Sequence, residues 1–217
     1  QAGYPSGEAA FTSAIEAFRS AENSTANAGL VGALLLRLAK CIPRHRFELR
    51  PAVMQESVAL LRQAQPPQPL DLAQALVWEG MVHGSEGRNP EGVVLMEEGI
   101  ALFRTIGNEL GVGTALRDLG ILHKGWGRLR ESQARLEEAV QTLTSAALLP
   151  YVQSTVWLGG TLVMRGHYRR GEALLRRALP FAKELRHNVL IGNTFLSLGE
   201  LYTAIGDLDR ARGHFAD

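Results

Sequence analysis

Two histidines, His83 and His123, are the side chains best suited to hold a metal ion. Each lies three residues past a glycine, Gly80 and Gly120, so they occupy equivalent places in consecutive copies of one pattern. Neighbouring helices in such an array pack about 10 Å apart. That is too far for two imidazoles to share an ion, so packed or groove-lining histidines are expected. No H-x-x-x-H, C-x-x-C or H-E-x-x-H spacing offers a site elsewhere. Cys41 follows Lys40, a neighbour able to lower a thiol pKa; a buried, inert thiol is the expectation. Gly111-Val112-Gly113 lacks both the third glycine and the Gly-Lys-Ser/Thr of a phosphate loop. Gly125-Trp126-Gly127 reads as a turn, and no G-x-S-x-G elbow occurs. Glu97-Glu98 and Glu137-Glu138 fall on faces expected to be solvated. The chain is therefore expected to be no enzyme and to hold no catalytic residue, metal or cofactor.

Composition narrows the class further. The 217 residues are 46% hydrophobic and 21% charged, enough apolar material for a sizeable core. The formal net charge of +1 argues against binding nucleic acid through bulk charge. A single cysteine excludes an internal disulfide and suits a reducing compartment, so a cytoplasmic location is expected. The longest small-apolar run, Ala28 to Leu36, is far short of the about 20 residues a bilayer span needs, and no membrane partner is expected. The opening QAGYPSGEAAF has no basic end followed by an apolar stretch.

The elements that position these residues emerge from an internal repeat. Glycines anchor it at Gly80, Gly120, Gly159 and Gly199, spaced by 40, 39 and 40 residues. Seven past each anchor stands another glycine: Gly87, Gly127, Gly166 and Gly206. Twelve past stands a small residue: Gly92, Ser132, Gly171 and Ala211. Sixteen past stand Met96, Leu136, Leu175 and Phe215, and one before stand Glu79, Leu119, Leu158 and Leu198. Offsets −4, −1, 0 and +3 share one helical face, and +9, +12, +16 and +19 share the face of a second helix. The glycine between them is placed for a left-handed C-cap. Each repeat is thus a two-helix hairpin that needs its neighbours to complete a core.

Before Gly80 the pattern weakens. Helices are expected near Gly29–Cys41 and Pro51–Gln65, with Pro51 at a helix start. GEAAFTSAIEAFRSAE reads as a further amphipathic helix with a stripe of Ala10, Ala14 and Ala17. Pro66-Pro67-Gln68-Pro69 reads as a stiff inter-helix loop. Pro180 should kink or end the helix that contains it.

The pattern resembles the tetratricopeptide repeat (TPR), most clearly in Leu196–Phe215, Asp118–Val140 and Trp157–Leu179. A 40-residue period also suits HEAT-type repeats, but the Gly–Gly–small spacing favours TPR. The resemblance implies an all-α, right-handed α-solenoid of stacked antiparallel hairpins. Residues 1–217 would form one array: a partial repeat at 1–28, a degenerate one at 29–66, repeats at 70–107, 110–148 and 150–187, and a truncated one at 190–217. Opening on half a hairpin and stopping inside another, the chain is expected to be a segment of a longer protein.

In TPR arrays the first helix of each hairpin lines the concave side. The resemblance therefore implies a partner-binding groove of Val77, Trp78, Met81, Arg117, Ile121, Lys124, Val156, Gly160, Met164, Leu196 and Glu200, joined by Gly84, Ser85, Asp118, Gly125, Trp157, Val163, Ser197, Thr203 and Ala204, with a core role standing equally beside the groove role for Trp78 and Trp157. Trp and Met suit a protein or peptide partner. The Lys/Asn/Arg clamp of chaperone-tail binders is absent: only Arg117 and Lys124 are basic there. Glu97–Leu122 resembles arrays in bacterial MalT-type signalling ATPases and regulators, which implies a regulatory arm beside an ATPase or DNA-binding domain of the same chain. Two other readings stand beside the scaffold: a small-molecule inducer sensor within a transcription regulator, and a nucleic-acid-binding solenoid. The latter would draw on Arg165, His167, Arg169, Arg170, Arg176 and Arg177, or on Arg37, Lys40, Arg44, Arg46 and Arg50. Residues 1–110 carry net −3 and residues 111–217 net +4, with Glu79, Glu86, Glu91, Glu97 and Glu98 as an acidic band.

Overall fold

A computed structural model describes residues 9, 12–13, 16–17, 27–42, 48–143 and 147–216. Ten helices fill almost all of that length, and no strand occurs among the described residues. They are α1 (Ala28–Cys41), α2 (Arg50–Gln63), α3 (Pro69–Ser85), α4 (Asn89–Thr105), α5 (Glu109–Gly125), α6 (Leu129–Thr142), α7 (Leu148–Met164), α8 (Tyr168–Glu184), α9 (Asn188–Ala204) and α10 (Leu208–Ala216). The chain divides into two compact units, Gln1–Asn108 and Glu109–Asp217.

Glycine spacing translates directly into packing. A Cβ on Gly80 would lie 2.4 Å from Met96 Cγ, and one on Gly120 2.6 Å from Leu136 Cγ. On Gly159 it would lie 2.7 Å from Leu175 Cγ, and on Gly199 2.4 Å from the Phe215 ring. In every repeat the anchor on the first helix thus receives the residue sixteen places on, from the second helix. Met96, Leu136 and Leu175 are fully buried there, each worth about 1.5–3 kcal/mol of apolar burial.

The connecting turns are equally regular. Gly87, Gly127, Gly166 and Gly206 have φ of +80°, +79°, +79° and +82°, a conformation open to glycine and costly to residues with a Cβ. The next residue donates its N–H back to the carbonyl five places earlier: Arg88 to His83, Arg128 to His123, His167 to Leu162 and Asp207 to Tyr202, all 2.9 Å. These are Schellman closures, which satisfy helix-end carbonyls.

In the first unit, α1 pairs with α2 and α3 with α4, and α2 and α3 pack on each other. Its core is built on Leu36, Met54, Leu61 and Leu76. Ser57 donates to the Gly32 carbonyl at 2.7 Å, sealing the close approach of α1 and α2. Prolines stand in the first turns of α2, α3 and α4, where a missing N–H costs nothing.

In the second unit, α5 pairs with α6, α7 with α8 and α9 with α10, and α5, α7 and α9 stack side by side. The core runs through Val156, Leu175, Leu198 and Tyr202. The buried Tyr202 hydroxyl donates to Glu172 at 2.5 Å and accepts from Arg176 at 2.7 Å, tying α9 to α8. Glu172 is held below the usual carboxylate range, first by that tyrosine bond and then by Arg176.

One expectation needs correction, a second is narrowed, and a third is covered only in part. Cys41 is exposed, not buried. It falls with Leu30, Arg37 and Lys40 on the outer stripe of α1, while Leu35, Leu36, Leu38 and Ala39 take the core stripe. Pro180 does not end its helix, which continues to Glu184. Pro180 is exposed; buried Ala178 and Ala182 on either side hold α8 to the core through it. Of the early alanine stripe, Ala10 and Ala14 lie outside the described residues, and Ala17 is helical and exposed.

Candidate functional site

The first helices of the second unit bring several of the expected groove residues together. Position −3 or −2 on α5 supplies Arg117 and Asp118, and the same positions on α7 supply Val156 and Trp157. Arg117 donates through Nε and Nη2 to Asp118 Oδ1 at 2.9 and 2.7 Å, and through Nη1 to Gln153 Oε1 at 2.7 Å. Its guanidinium is therefore engaged within the protein. Burial pushes the Asp118 carboxyl up, and the Arg117 charge pulls it back.

Lys124 is different. Its Nζ sits 5.0 Å from the centre of the Trp157 ring, a cation–π placement. It makes no hydrogen bond or ion pair among the described residues. Burial lowers its pKa, and the charge of Glu200 on α9 partly restores it. Close by, a Cβ on Gly160 would lie 3.5 Å from Lys124 Nζ and 2.9 Å from Ser197 Oγ. The glycine thus lets α5, α7 and α9 meet at this point. Trp157 packs its inner side on Leu136, Leu158 and Leu162, so it serves core and surface together. Met164 and Leu196 stand on the same helices, each 51% exposed, and Glu200 is exposed. The same helices thus carry a cation on an aromatic plate, exposed apolar side chains and an acid.

In the first unit Trp78 holds the equivalent place on α3. Lys40 of α1 lies over it, with Nζ 5.4 Å from the ring centre, and donates to Gln74 at 3.4 Å. Burial lowers the Lys40 pKa, Arg37 lowers it further, and Asp71 opposes both. Met81 is half-buried. The sequence places tryptophan at −2 in both repeats, but the lysine partner comes from the preceding first helix at a different offset each time. Nothing in the spacing discloses that pairing.

Several expected residues are not open to a partner. Val77, Val156 and Gly160 are buried, because a first helix packs on its own hairpin partner and on its neighbours at once. Ile121 is half-buried. His123 is buried beside Trp126, rings 6.3 Å apart and 8° from parallel, and burial lowers its pKa. Arg128 also lies over Trp126, its guanidinium carbon 3.5 Å from the ring centre. His83 lies 3.9 Å from Glu79. No three His, Cys, Asp or Glu side chains gather as a metal site among the described residues.

The basic cluster is largely spoken for. Arg165 donates to Gln133, Arg170 pairs with Glu137 at 2.8 Å, Arg176 with Glu172 at 2.8 Å, and Arg177 donates to the Tyr151 hydroxyl at 3.0 Å. Of the second cluster, Arg37 pairs with Asp71 at 3.4 Å and Arg50 donates to the Ile42 carbonyl at 2.6 Å; Arg44 and Arg46 lie outside the described residues. Glu98 and Glu137 are members of inter-helix ion pairs, with Arg62 and Arg170. No described helix is long and apolar enough to cross a membrane.

No protein-family model and no curated protein matches the chain in sequence. Solved structures do match in fold. BtubC (BKLC) from P. vanneervenii superimposes over 96% of this chain and 87% of its own, at 18% identity and a TM-score of 0.77. A Rap protein complexed with competence and sporulation factor superimposes over 96% of this chain and 59% of its own, at 14% identity and a TM-score of 0.74. The TPR-like repeats of a putative kinesin light chain from Podospora anserina give 17% identity and a TM-score of 0.63, over 88% and 93% of the two chains. The fold is thus an all-α solenoid of TPR-like hairpins, as the repeat arithmetic and the resemblance implied.

Proposed function

We propose that this chain is a non-catalytic scaffold that binds a protein or peptide on the first-helix face of its second unit. The observation that carries this reading is Lys124 lying over Trp157 with no ion pair of its own, while Met164, Leu196 and Glu200 stand exposed on the same first helices, α7 and α9. A half-buried cation that makes no ion pair or hydrogen bond of its own, on an indole plate with Glu200 as its nearby acid, gains from a partner that brings both an acidic group and apolar contact. Two clefts in this unit, of about 380 and 190 Å³, are lined by Gly166–Arg170 and by residues around Tyr151 and Phe181; neither includes Lys124 or Trp157. Internal pairing of Arg165, Arg170, Arg176 and Arg177 weighs against nucleic acid. One structural neighbour, Rap, was solved with competence and sporulation factor bound, which supports a ligand-holding role for this fold.

The test is a selection of displayed peptides on the whole chain, followed by titration of the winners. Trp157→Ala should weaken them by about 2 kcal/mol, roughly thirtyfold, and Lys124→Gln by about tenfold. Winners that bind both variants as tightly as the wild type would refute the proposal. Affinity falling by orders of magnitude for a nucleic-acid probe on raising salt would move the reading to the basic clusters. The finer placement, as the regulatory arm of a cytoplasmic bacterial signalling protein beside an ATPase or DNA-binding domain, rests on the resemblance of Glu97–Leu122. The coding sequence on either side tests it.

A further inference from the structure

The first unit contains a buried carboxylate in a place reserved for leucine. One residue before the anchor the other repeats carry Leu119, Leu158 and Leu198, which are 0, 3 and 1% exposed. Glu79 takes that place in α3, and its side chain is only 10% exposed. It accepts no hydrogen bond among the described residues, and its near neighbour is His83 Nε2 at 3.9 Å. Burying a carboxylate without a hydrogen-bonding partner is costly. Burial accordingly raises the Glu79 pKa, against the pull of His83, Arg62 and Arg88. Those two arginines are already committed, Arg62 to Glu98 at 2.6 Å and Arg88 to Glu86.

The carboxylate is not sealed in. It lines a cleft of about 500 Å³ between α2, α3 and α4, shared with Val58, Arg62, His83, Glu91 and Val94. That volume suits a small organic molecule. The walls from α2 and α4 offer apolar contact, while Glu79 and Glu91 leave the site short of positive charge once Arg62 is paired with Glu98.

We propose that this cleft binds a small organic cation, an amine with an apolar body, whose ammonium pairs with Glu79 while its body lies against Val58 and Val94. Such a ligand supplies the charge and the hydrogen-bond donor that Glu79 lacks. The cleft lies in a different compact unit from Lys124 and Trp157, so this proposal and the peptide-binding one stand or fall separately.

Calorimetric titration of the whole chain with tryptamine, phenethylamine and cyclohexylmethylamine tests it. Tryptophol and 3-indolepropionate serve as the neutral and anionic counterparts of tryptamine. At least one amine is expected to bind, and tryptamine to exceed tryptophol by about tenfold or more, the usual worth of a charged hydrogen bond. Glu79→Gln keeps the shape and should remove that advantage. Val94→Arg alters only an exposed rim residue, 67% exposed, and should block the cleft by bulk and charge without disturbing the core. The proposal is overturned if tryptophol binds as well as tryptamine. It is equally overturned if amine binding survives both variants, or if none of the three amines binds up to about 10 mM.

Discussion

Alanine at the four anchor glycines should produce a graded series, because the atoms each new Cβ meets differ in how easily they yield. At Gly80 it would lie 2.4 Å from Met96 Cγ and 2.6 Å from the Gly92 carbonyl oxygen. That oxygen belongs to the backbone of α4 and can move only with the helix. Overpacking of this kind costs about 1–3 kcal/mol, and helix propensity returns about 0.5–1 kcal/mol; the net loss should be about 2 kcal/mol. At Gly120 and Gly159 the obstacles are Leu136 and Leu175 Cγ at 2.6 and 2.7 Å, side chains that are buried but rotatable. A net loss of about 1 kcal/mol is expected there. At Gly199 the obstacle is the ring of Phe215, which is 54% exposed and free to swing outward, so gain and loss should nearly cancel. Gly192, in α9 with nothing within 4 Å of a new Cβ, is the control, and Gly192→Ala should stabilise by about 0.5–1 kcal/mol. Urea denaturation followed by circular dichroism reads the order, and hydrogen exchange assigns each loss to its hairpin. If Gly80→Ala costs no more than Gly199→Ala, or if all four behave like Gly192→Ala, the hairpin packing described above is wrong.

Two further perturbations probe the turns and a buried titration. Gly166→Ala should cost about 1–2 kcal/mol because φ there is +79°. Arg186→Gly should stabilise by up to about 1 kcal/mol, since Arg186 holds φ +49° with a Cβ in place; both are read from denaturation midpoints. His123 has its pKa lowered by burial, so the folded chain binds fewer protons there than the unfolded one. Its contribution to stability is present above the ordinary histidine value of about 6.5 and is lost as pH falls toward the lowered value. His123→Leu, which copies Leu162 of the next repeat, should flatten the fall in stability between about pH 7 and pH 5; an unchanged slope would contradict this.

Much of this fold could be read before any coordinates, for a physical reason. Close helix approach demands a small residue, and a left-handed turn is cheapest with glycine. Both demands leave marks at fixed spacing, and Gly159, Gly166, Gly171 and Leu175 carry a whole hairpin in that way. Features resting on one flexible side chain left no such mark. Lys124 reaches Trp157 from another helix, and the sequence offers only a lysine four past one anchor and a tryptophan two before the next. The turns between hairpins fall outside the repeat's glycine spacing and went unread: Gly107 holds φ +68°, and Arg186 takes the same left-handed form without glycine. Cys41 was misread because burial in α1 depends on which face meets α2, and the glycine that makes that close approach, Gly32 against Ser57 and Leu61, falls outside the 40-residue step, which lands on Lys40. Glu79 was visible as a departure from leucine, but charge pattern alone grouped it with its solvated neighbours.

The most direct measurement follows the three indole N–H signals of the whole chain by NMR while a selected peptide is added. Trp157 lies on the proposed face, whereas Trp126 is covered by His123 and Arg128 and Trp78 belongs to the other unit. A shift of the Trp157 signal that saturates with binding, with Trp126 unmoved, is the predicted result. Saturable binding that leaves Trp157 unmoved would contradict the assignment of this face as the recognition surface.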